Sequence, residues 1–97
     1  MRLIETGAYP LRVNAVLYGK EAWAAYPEPL QAGYSGFLRV HSKKIFIDGA
    51  LGSRGAWVSR PYCDQPHWQG LSLQYEEAVL PLIEENFKKG FQLAFHV

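Results

Sequence analysis

A lysine and an aspartate share one face of a short apolar segment, residues 44–48. The segment is rich in isoleucine and phenylalanine, which predicts a strand whose side chains alternate between its two faces. Lys44, Phe46 and Asp48 would then project from one face, and Ile45 and Ile47 from the other. A charge on a buried strand needs a partner. The residues alone leave three interpretations open: a Lys44–Asp48 pair, a lysine at the mouth of the strand whose ammonium reaches water, or a functional site.

Two further features could carry chemistry. His96 follows an apolar run, residues 91–95, and is either a hydrogen-bonded core histidine or a ligand. The glycine-rich stretch from Gly49 to Arg54 follows the lysine-bearing segment and could bind an anion through backbone N–H groups and the guanidinium of Arg54. This stretch has neither the Gly-Lys-Ser/Thr ending of a P-loop nor the G-x-G-x-x-G pattern.

The elements that must position these residues are predicted from local patterns. Strands are predicted near residues 11–18, 43–48 and 91–97, with a short helix at 21–26 and a main helix near 75–89. The connections are too long for hairpins, which favours parallel strands joined by two crossovers and an α/β fold. Because working residues in such folds lie at the carboxyl ends of the strands, we expect the groups at 44–54 and at 96 to lie at one edge of the sheet.

The main helix has a clear apolar stripe and a clear end. Lys88 and Lys89 fall in its last turn, and Gly90 follows where a left-handed cap residue is common. The apolar residues that recur at helical spacing are Val79, Leu80, Ile83 and Phe87.

Composition excludes several classes of protein. The chain has 97 residues with 10 basic and 9 acidic side chains, so its net charge of +1 leaves no field for a polyanion, and we expect no nucleic-acid or membrane partner. The single cysteine, Cys63, excludes an internal disulfide and favours a cytoplasmic location. Its spacing to His67 does not match a zinc site.

Residues 44–56, KIFIDGALGSRGA, closely resemble the VK-L-F-x-DG-x-LGSR-x-A signature of amidohydrolase family 3, the formamide-deformylase-like branch of the metal-dependent amidohydrolase superfamily. The likeness extends to both sides. Residues 10–13, PLRV, resemble the strand that precedes the signature, and residues 61–71 resemble the loop that follows it. Residues 90–96, GFQLAFH, are similar to the family's G-x-Q-V-A-x-H strand.

This resemblance implies a TIM-type (β/α)8 barrel that hydrolyses non-peptide C–N bonds, such as amides or formamides, with metal-activated water. Lys44 matches a lysine that can be carboxylated and bridge two metals, and His96 matches a metal-ligand histidine. The implied cofactor is a divalent metal, with zinc as the expected ion. Asp48, Ser53 and Arg54 fall in the loop over the site, where the resemblance implies contacts with a small-molecule substrate.

The same resemblance implies that residues 1–97 are one part of a barrel domain. A barrel takes roughly 250 residues, so this chain would supply about three of the eight strands. The family's His-x-His pair, its further histidine and its aspartate have no counterpart here, and we expect the isolated chain to be inactive and to self-associate through open strand edges. The alternative is a self-contained α/β module that binds an anion or a nucleotide through the loop from Gly49 to Arg54.

Overall fold

One mixed sheet, two α-helices and one short 3-10 helix make up the computed structural model, which describes residue 6, residues 11–32 and residues 36–97. In chain order the elements are β1 (Val13–Tyr18), α1 (Lys20–Ala25), β2 (Leu30–Ala32), β3 (Leu38–Phe46), the 3-10 helix (Leu51–Ser53), α2 (Glu76–Lys88) and β4 (Gln92–His96). The predicted strands at 11–18 and 91–97 contain β1 and β4, and the predicted helix at 75–89 contains α2. The strand predicted at 43–48 is the second part of β3, which begins at Leu38 and ends at Phe46.

β3 pairs with each of the other three strands. β1 and β4 lie parallel to β3, and β2 lies antiparallel to it. The fold is therefore mixed α/β, as predicted, but the expected set of three parallel strands needs a correction because a fourth, antiparallel strand joins the sheet. β2 escaped the sequence analysis because three residues that follow Pro27 and Pro29 are too few to show an alternating pattern.

The pairing of β1 with β3 contains one irregularity. Ala15 pairs with Val40 and Val16 pairs with Ser42, so His41 has no partner on β1. A bulge of this kind places one extra residue in a strand and changes which residues of that strand share a face. As a result, Leu38 and Val40 lie on the same face as the odd-numbered residues that follow the bulge.

The core lies on that face of the sheet. Leu17, Leu38, Val40 and Phe91 form a buried apolar cluster, and side chains of α1 and the residues around it pack against the cluster. Trp23 of α1 donates its indole N–H to the carbonyl oxygen of Leu17 at 3.1 Å, which fixes the helix to the end of β1. On the opposite face of the sheet, Val16 and Tyr18 of β1 are exposed.

α2 also packs on this core face, but only in part through the predicted stripe. Val79 and Asn86 are the buried residues of α2, whereas Leu80 is 50% exposed and Phe87 is 74% exposed. The apolar stripe predicted for this helix is therefore buried only in part. The helix instead turns Asn86 inward, because this amide accepts a hydrogen bond from Lys43, a buried lysine of β3. Gly90 ends the helix region with φ 85°, the left-handed conformation expected there.

No helix of residues 11–32 and 36–97 has the length and the apolar character that crossing a membrane requires.

Candidate metal centre

Lys44 and His96 lie on the same face of the sheet. In the parallel register of β3 and β4, Lys44 pairs with Ala94 and Phe46 pairs with His96. Because paired residues of neighbouring strands project from the same face, Lys44 and His96 both project from the face opposite the core, two positions apart on adjacent strands. Both side chains are half-buried. The two residues that the sequence singled out are thus brought together near the carboxyl ends of their strands.

A row of three rings runs across this face at the strand ends. The ring centroids of Tyr18 and Phe46 are 5.0 Å apart and meet edge to face, and those of Phe46 and His96 are also 5.0 Å apart. The Lys44 ammonium lies 5.2 Å from the centroid of the Phe46 ring. Sequence analysis missed Tyr18, although its place as the last residue of a strand parallel to β3 could have indicated it.

Among the described residues, the His96 ring has one hydrogen-bond partner. Its Nε2 lies 3.1 Å from the carbonyl oxygen of Gly49. A carbonyl oxygen only accepts hydrogen bonds, so Nε2 must carry the proton, which leaves Nδ1 of the neutral ring with a free lone pair. The backbone reinforces this arrangement, because Ile47 N–H donates to the carbonyl oxygen of His96 at 3.0 Å.

Asp48 anchors the loop that follows β3. The residue is only 6% exposed, and its Oδ2 accepts the backbone N–H of Trp57 at 2.9 Å. Within the described residues its Oδ1 is buried without a hydrogen-bond partner. Oδ2 thus closes the loop. A buried carboxylate oxygen without a hydrogen bond, such as Oδ1, is uncommon in proteins. That Asp48 binds substrate stays a prediction.

The loop after Asp48 is held by its own hydrogen bonds. Gly49 and Gly55 approach so closely that a Cβ on Gly49 would lie 2.9 Å from the Cα of Gly55, and Gly49 N–H donates to the carbonyl oxygen of Gly55. Ser53 Oγ donates to the carbonyl oxygen of Ala50 at 3.2 Å. Arg54 adopts a left-handed conformation with φ 62°.

The guanidinium of Arg54 is paired with Asp64. Its Nε donates to Asp64 Oδ2 at 2.9 Å, and Nη2 contacts the same oxygen. This hydrogen bond lowers the pKa of the Asp64 carboxyl and raises the pKa of Arg54. In the part of the chain that is described, neither Ser53 nor Arg54 shares a hydrogen bond or ion pair with Lys44 or His96.

The bonding within this loop bears on the anion-binding alternative. The backbone N–H groups of Gly49, Arg54, Gly55 and Ala56 all donate inside the loop. An anion-binding loop needs such groups directed at its ligand, together with a cation that is free to meet it. Within residues 49–54 the N–H groups of Gly49 and Arg54 are used in this way, and the guanidinium of Arg54 is paired with Asp64 and is not free to meet an anion, so the geometry does not favour this alternative.

A cavity of about 470 Å³ adjoins Lys44. Its walls are mainly apolar and aromatic, and they carry ammonium groups but no carboxylate among the described residues. The residues that line it include Tyr18, Lys20, Trp23, Lys44, Phe46, Leu73 and Leu82. A cavity of this size can accept a small organic molecule.

Histidine, cysteine, aspartate and glutamate do not form any group of three with metal-binding geometry within residues 11–32 and 36–97. Cys63 and His67 are both exposed. Lys44 and His96 could therefore supply at most two protein ligands to one metal, and the other ligands would have to come from elsewhere.

Comparison with known proteins decides the family. All of residues 1–97 match the model of an amidohydrolase family. The chain belongs to this amidohydrolase family. The resemblance stated from residues 44–56 is thereby confirmed.

Named relatives agree with this assignment. The chain is 32% identical over 92 residues to YtcJ of Bacillus subtilis (strain 168), whose name assigns it to the amidohydrolases. Two solved structures, uncharacterized metal-dependent hydrolases of Pyrococcus furiosus and Pyrococcus horikoshii OT3, superpose with TM-scores of 0.83 and 0.84 at 28% and 26% identity. Each superposition covers 99% of this chain.

The amidohydrolase chain is much shorter than these relatives. The match to YtcJ includes 93% of this chain but only 17% of YtcJ. The superpositions include 20% of each hydrolase structure. The chain therefore spans about a fifth of the length of the proteins it matches.

Proposed function

We propose that this chain supplies the metal-facing strands of a (β/α)8 barrel hydrolase that cleaves non-peptide C–N bonds, such as those of amides or formamides. The observation that carries the proposal is the placement of Lys44 and His96 on one face of two adjacent parallel strands, near the strands' carboxyl ends. β1, β3 and β4 would be three consecutive strands of the barrel, and their shared face would form part of its interior. On this view residues 1–97 belong to one barrel domain.

His96 suits a divalent metal in its present geometry. Its Nε2–H is held by the carbonyl oxygen of Gly49, so Nδ1 is the nitrogen that would bind the metal. An imidazole nitrogen is a preferred ligand of zinc. The Gly49 carbonyl would thereby fix both the tautomer and the direction of the ligand ring.

Lys44 would supply oxygen ligands after carboxylation. In that step the amine nitrogen bonds to the carbon of CO₂ and loses a proton, which gives an anionic carbamate. Lys44 stands beside the rings of Tyr18 and Phe46, and no hydrogen bond or ion pair within the described residues occupies its amine. A bound divalent metal would supply Lewis-acid chemistry, by activating water and polarising the carbonyl of the C–N substrate.

The substrate would be a small molecule held beside Lys44. The adjoining cavity of about 470 Å³ offers aromatic and aliphatic walls to an apolar group of the substrate. The loop over this site contains Asp48, Ser53 and Arg54. Asp48 would hold the loop in place, and Ser53 and Arg54 would contact the substrate from its more exposed part. We expect no nucleic-acid or membrane partner, and we place the protein in the cytoplasm, where the exposed thiol of Cys63 would stay reduced.

With only two ligands from this chain, the isolated 97 residues would hold metal weakly and would lack activity. Their unpaired strand edges would favour self-association.

The proposal is tested in the complete protein with the variants Lys44→Ala and His96→Ala. Zinc content is measured by mass spectrometry and hydrolysis is assayed with a panel of amides and formamides. We expect both variants to lose zinc and to lose hydrolysis by more than about a hundredfold, since even contacts outside the ligand shell are worth ten- to a hundredfold in metal affinity. The matched controls Lys88→Ala and His67→Ala, at exposed positions, should keep both properties. Unchanged zinc and hydrolysis in Lys44→Ala and His96→Ala would refute the proposal.

A further inference from the structure

β3 carries two consecutive lysines that have different surroundings. Lys44 lies on the face of His96, and Lys43 lies on the core face, where it is only 3% exposed. The Lys43 ammonium donates a hydrogen bond of 2.7 Å to Oδ1 of Asn86 on α2. Burial lowers the pKa of the Lys43 ammonium group.

Two aromatic rings also lie against the Lys43 ammonium. Its Nζ lies 4.1 Å from the centroid of the Phe91 ring and 5.1 Å from that of Trp23. These ring faces attract a cation. The ammonium is thus held by α1, by α2 and by the residue that precedes β4. No carboxylate of the described residues forms an ion pair with it.

Asn86 is itself fixed in place. The residue is buried, its Nδ2 donates to the carbonyl oxygen of Leu82 at 2.8 Å, and its backbone carbonyl accepts the N–H of Phe91 at 3.0 Å. The amide therefore presents Oδ1 to Lys43 in a defined orientation. The contact joins the middle of β3 rigidly to α2.

The identity of the two adjacent lysines does not by itself specify which of them lies on the core face of β3. A slip by one residue would exchange the two faces of the strand and would put Lys43 beside His96 and Lys44 into the core. Because the two residues are both lysines, each face would still carry one lysine after the exchange, although Ile45 would leave the core face. The bulge at His41 lies just before them, and bulges are the points where the register of a strand can change.

We propose that Lys43 is a positioning residue, clamped by Asn86, which sets the register of β3 so that Lys44 is presented to the metal. This inference rests on the proposed function, because it takes Lys44 as a metal ligand. The clamp acts through the strand: when Lys43 is held on the core face, the alternation of side chains directs Lys44 to the opposite face.

Stability alone does not account for such a clamp. Burying an ammonium beside a neutral amide carries a large desolvation cost, and replacing a buried polar pair by apolar residues of similar size is often neutral or stabilising. The double variant Lys43→Met with Asn86→Leu removes both partners and leaves no unpaired polar group. The two roles therefore predict different results for this double variant. If the contact serves stability only, the melting temperature and the zinc affinity should fall together. If the contact positions Lys44, the zinc affinity should fall while the melting temperature does not.

The test uses the complete protein and measures the melting temperature, the zinc dissociation constant and the ¹³C signal of a lysine carbamate formed from labelled bicarbonate. For the double variant we expect an unchanged or higher melting temperature, a roughly ten- to hundredfold weaker zinc affinity and a weaker carbamate signal. The single variant Asn86→Asp keeps an acceptor for Lys43 and should retain zinc. The control variant Glu85→Leu with Lys89→Met removes an exposed pair from the same helix and should also retain zinc.

Three results would overturn the inference. Wild-type zinc affinity in the double variant would show that Lys43 does not position Lys44. A loss of zinc that only parallels a loss of melting temperature would show that Lys43 acts on stability alone. If Lys44→Ala binds zinc as tightly as the wild type, the proposed function fails and this inference fails with it, whereas either of the first two results leaves the proposed function standing.

Discussion

His96 Nε2 and the carbonyl oxygen of Gly49 are 3.1 Å apart, although 47 positions separate the two residues in the chain. This contact joins the end of β4 to the loop that follows β3. In the proposed metal site, the carbonyl oxygen of Gly49 determines which nitrogen of the neutral His96 ring carries the proton. The resulting tautomer leaves Nδ1 for a metal.

The first prediction concerns that tautomer. In the metal-free complete protein with neutral histidine rings, ¹⁵N NMR of labelled histidine should show the proton of His96 on Nε2, because the Gly49 carbonyl accepts the hydrogen bond. Addition of zinc should then shift the Nδ1 resonance. His67, which is exposed, serves as the control and should show no such preference. A proton on Nδ1 of His96 would contradict the assignment.

The second prediction concerns the loop backbone at Gly70. Its φ is 81°, and a Cβ there would lie 1.9 Å from the carbonyl oxygen of Ala56. Gly70→Ala should therefore lower the free energy of unfolding by about 1–3 kcal/mol or more, as measured by denaturant titration. Gly52→Ala is the matched control, because a Cβ at Gly52 meets nothing within 4 Å, and it should change stability by less than about 0.5 kcal/mol. Equal effects of the two substitutions would show that the loop does not close in this way.

The third prediction concerns acid. The hydrogen bond from Arg54 holds the pKa of the Asp64 carboxyl below its usual 3.8. A carboxyl whose pKa is lowered by folding stabilises the fold above its usual pKa, and this contribution is lost as the pH falls through the lowered value. The loop should therefore loosen only in strong acid.

Hydrogen exchange of the Trp68 indole N–H measures this loosening, because that group donates to the carbonyl oxygen of Arg54 at 2.7 Å. Its protection should hold from neutral pH down to about the usual pKa of a carboxyl and fall below it. Asp64→Asn should remove this pH dependence. Protection that is lost already near neutral pH, or that persists unchanged in Asp64→Asn, would contradict the role of the pair.

Much of the fold is predictable from local patterns. The apolar run of β4 and the Lys-Gly ending of α2 are strong local signals, and the structure has both elements within the predicted ranges. β2 is too short to leave a pattern. β3 reads as two pieces, because the bulge at His41 breaks the alternation that would have joined them.

The site is predictable only in part. Alternation along residues 44–48 put Lys44 on one face, and resemblance selected His96, but neither could show the contact of His96 with Gly49, which depends on the path of a loop. Lys43 was missed because two adjacent lysines give no indication of which one is buried. A polar Asn86 at helical spacing from Val79 and Ile83 was the available signal for an inward-facing partner.

The most direct test of the central claim is a crystal structure of the complete protein grown with zinc, with data collected at the zinc absorption edge. The account predicts an anomalous peak within about 2.0–2.2 Å of His96 Nδ1 and of an oxygen carried by Lys44. A zinc peak bound by other residues, with Lys44 unmodified and His96 Nδ1 unoccupied, would contradict it.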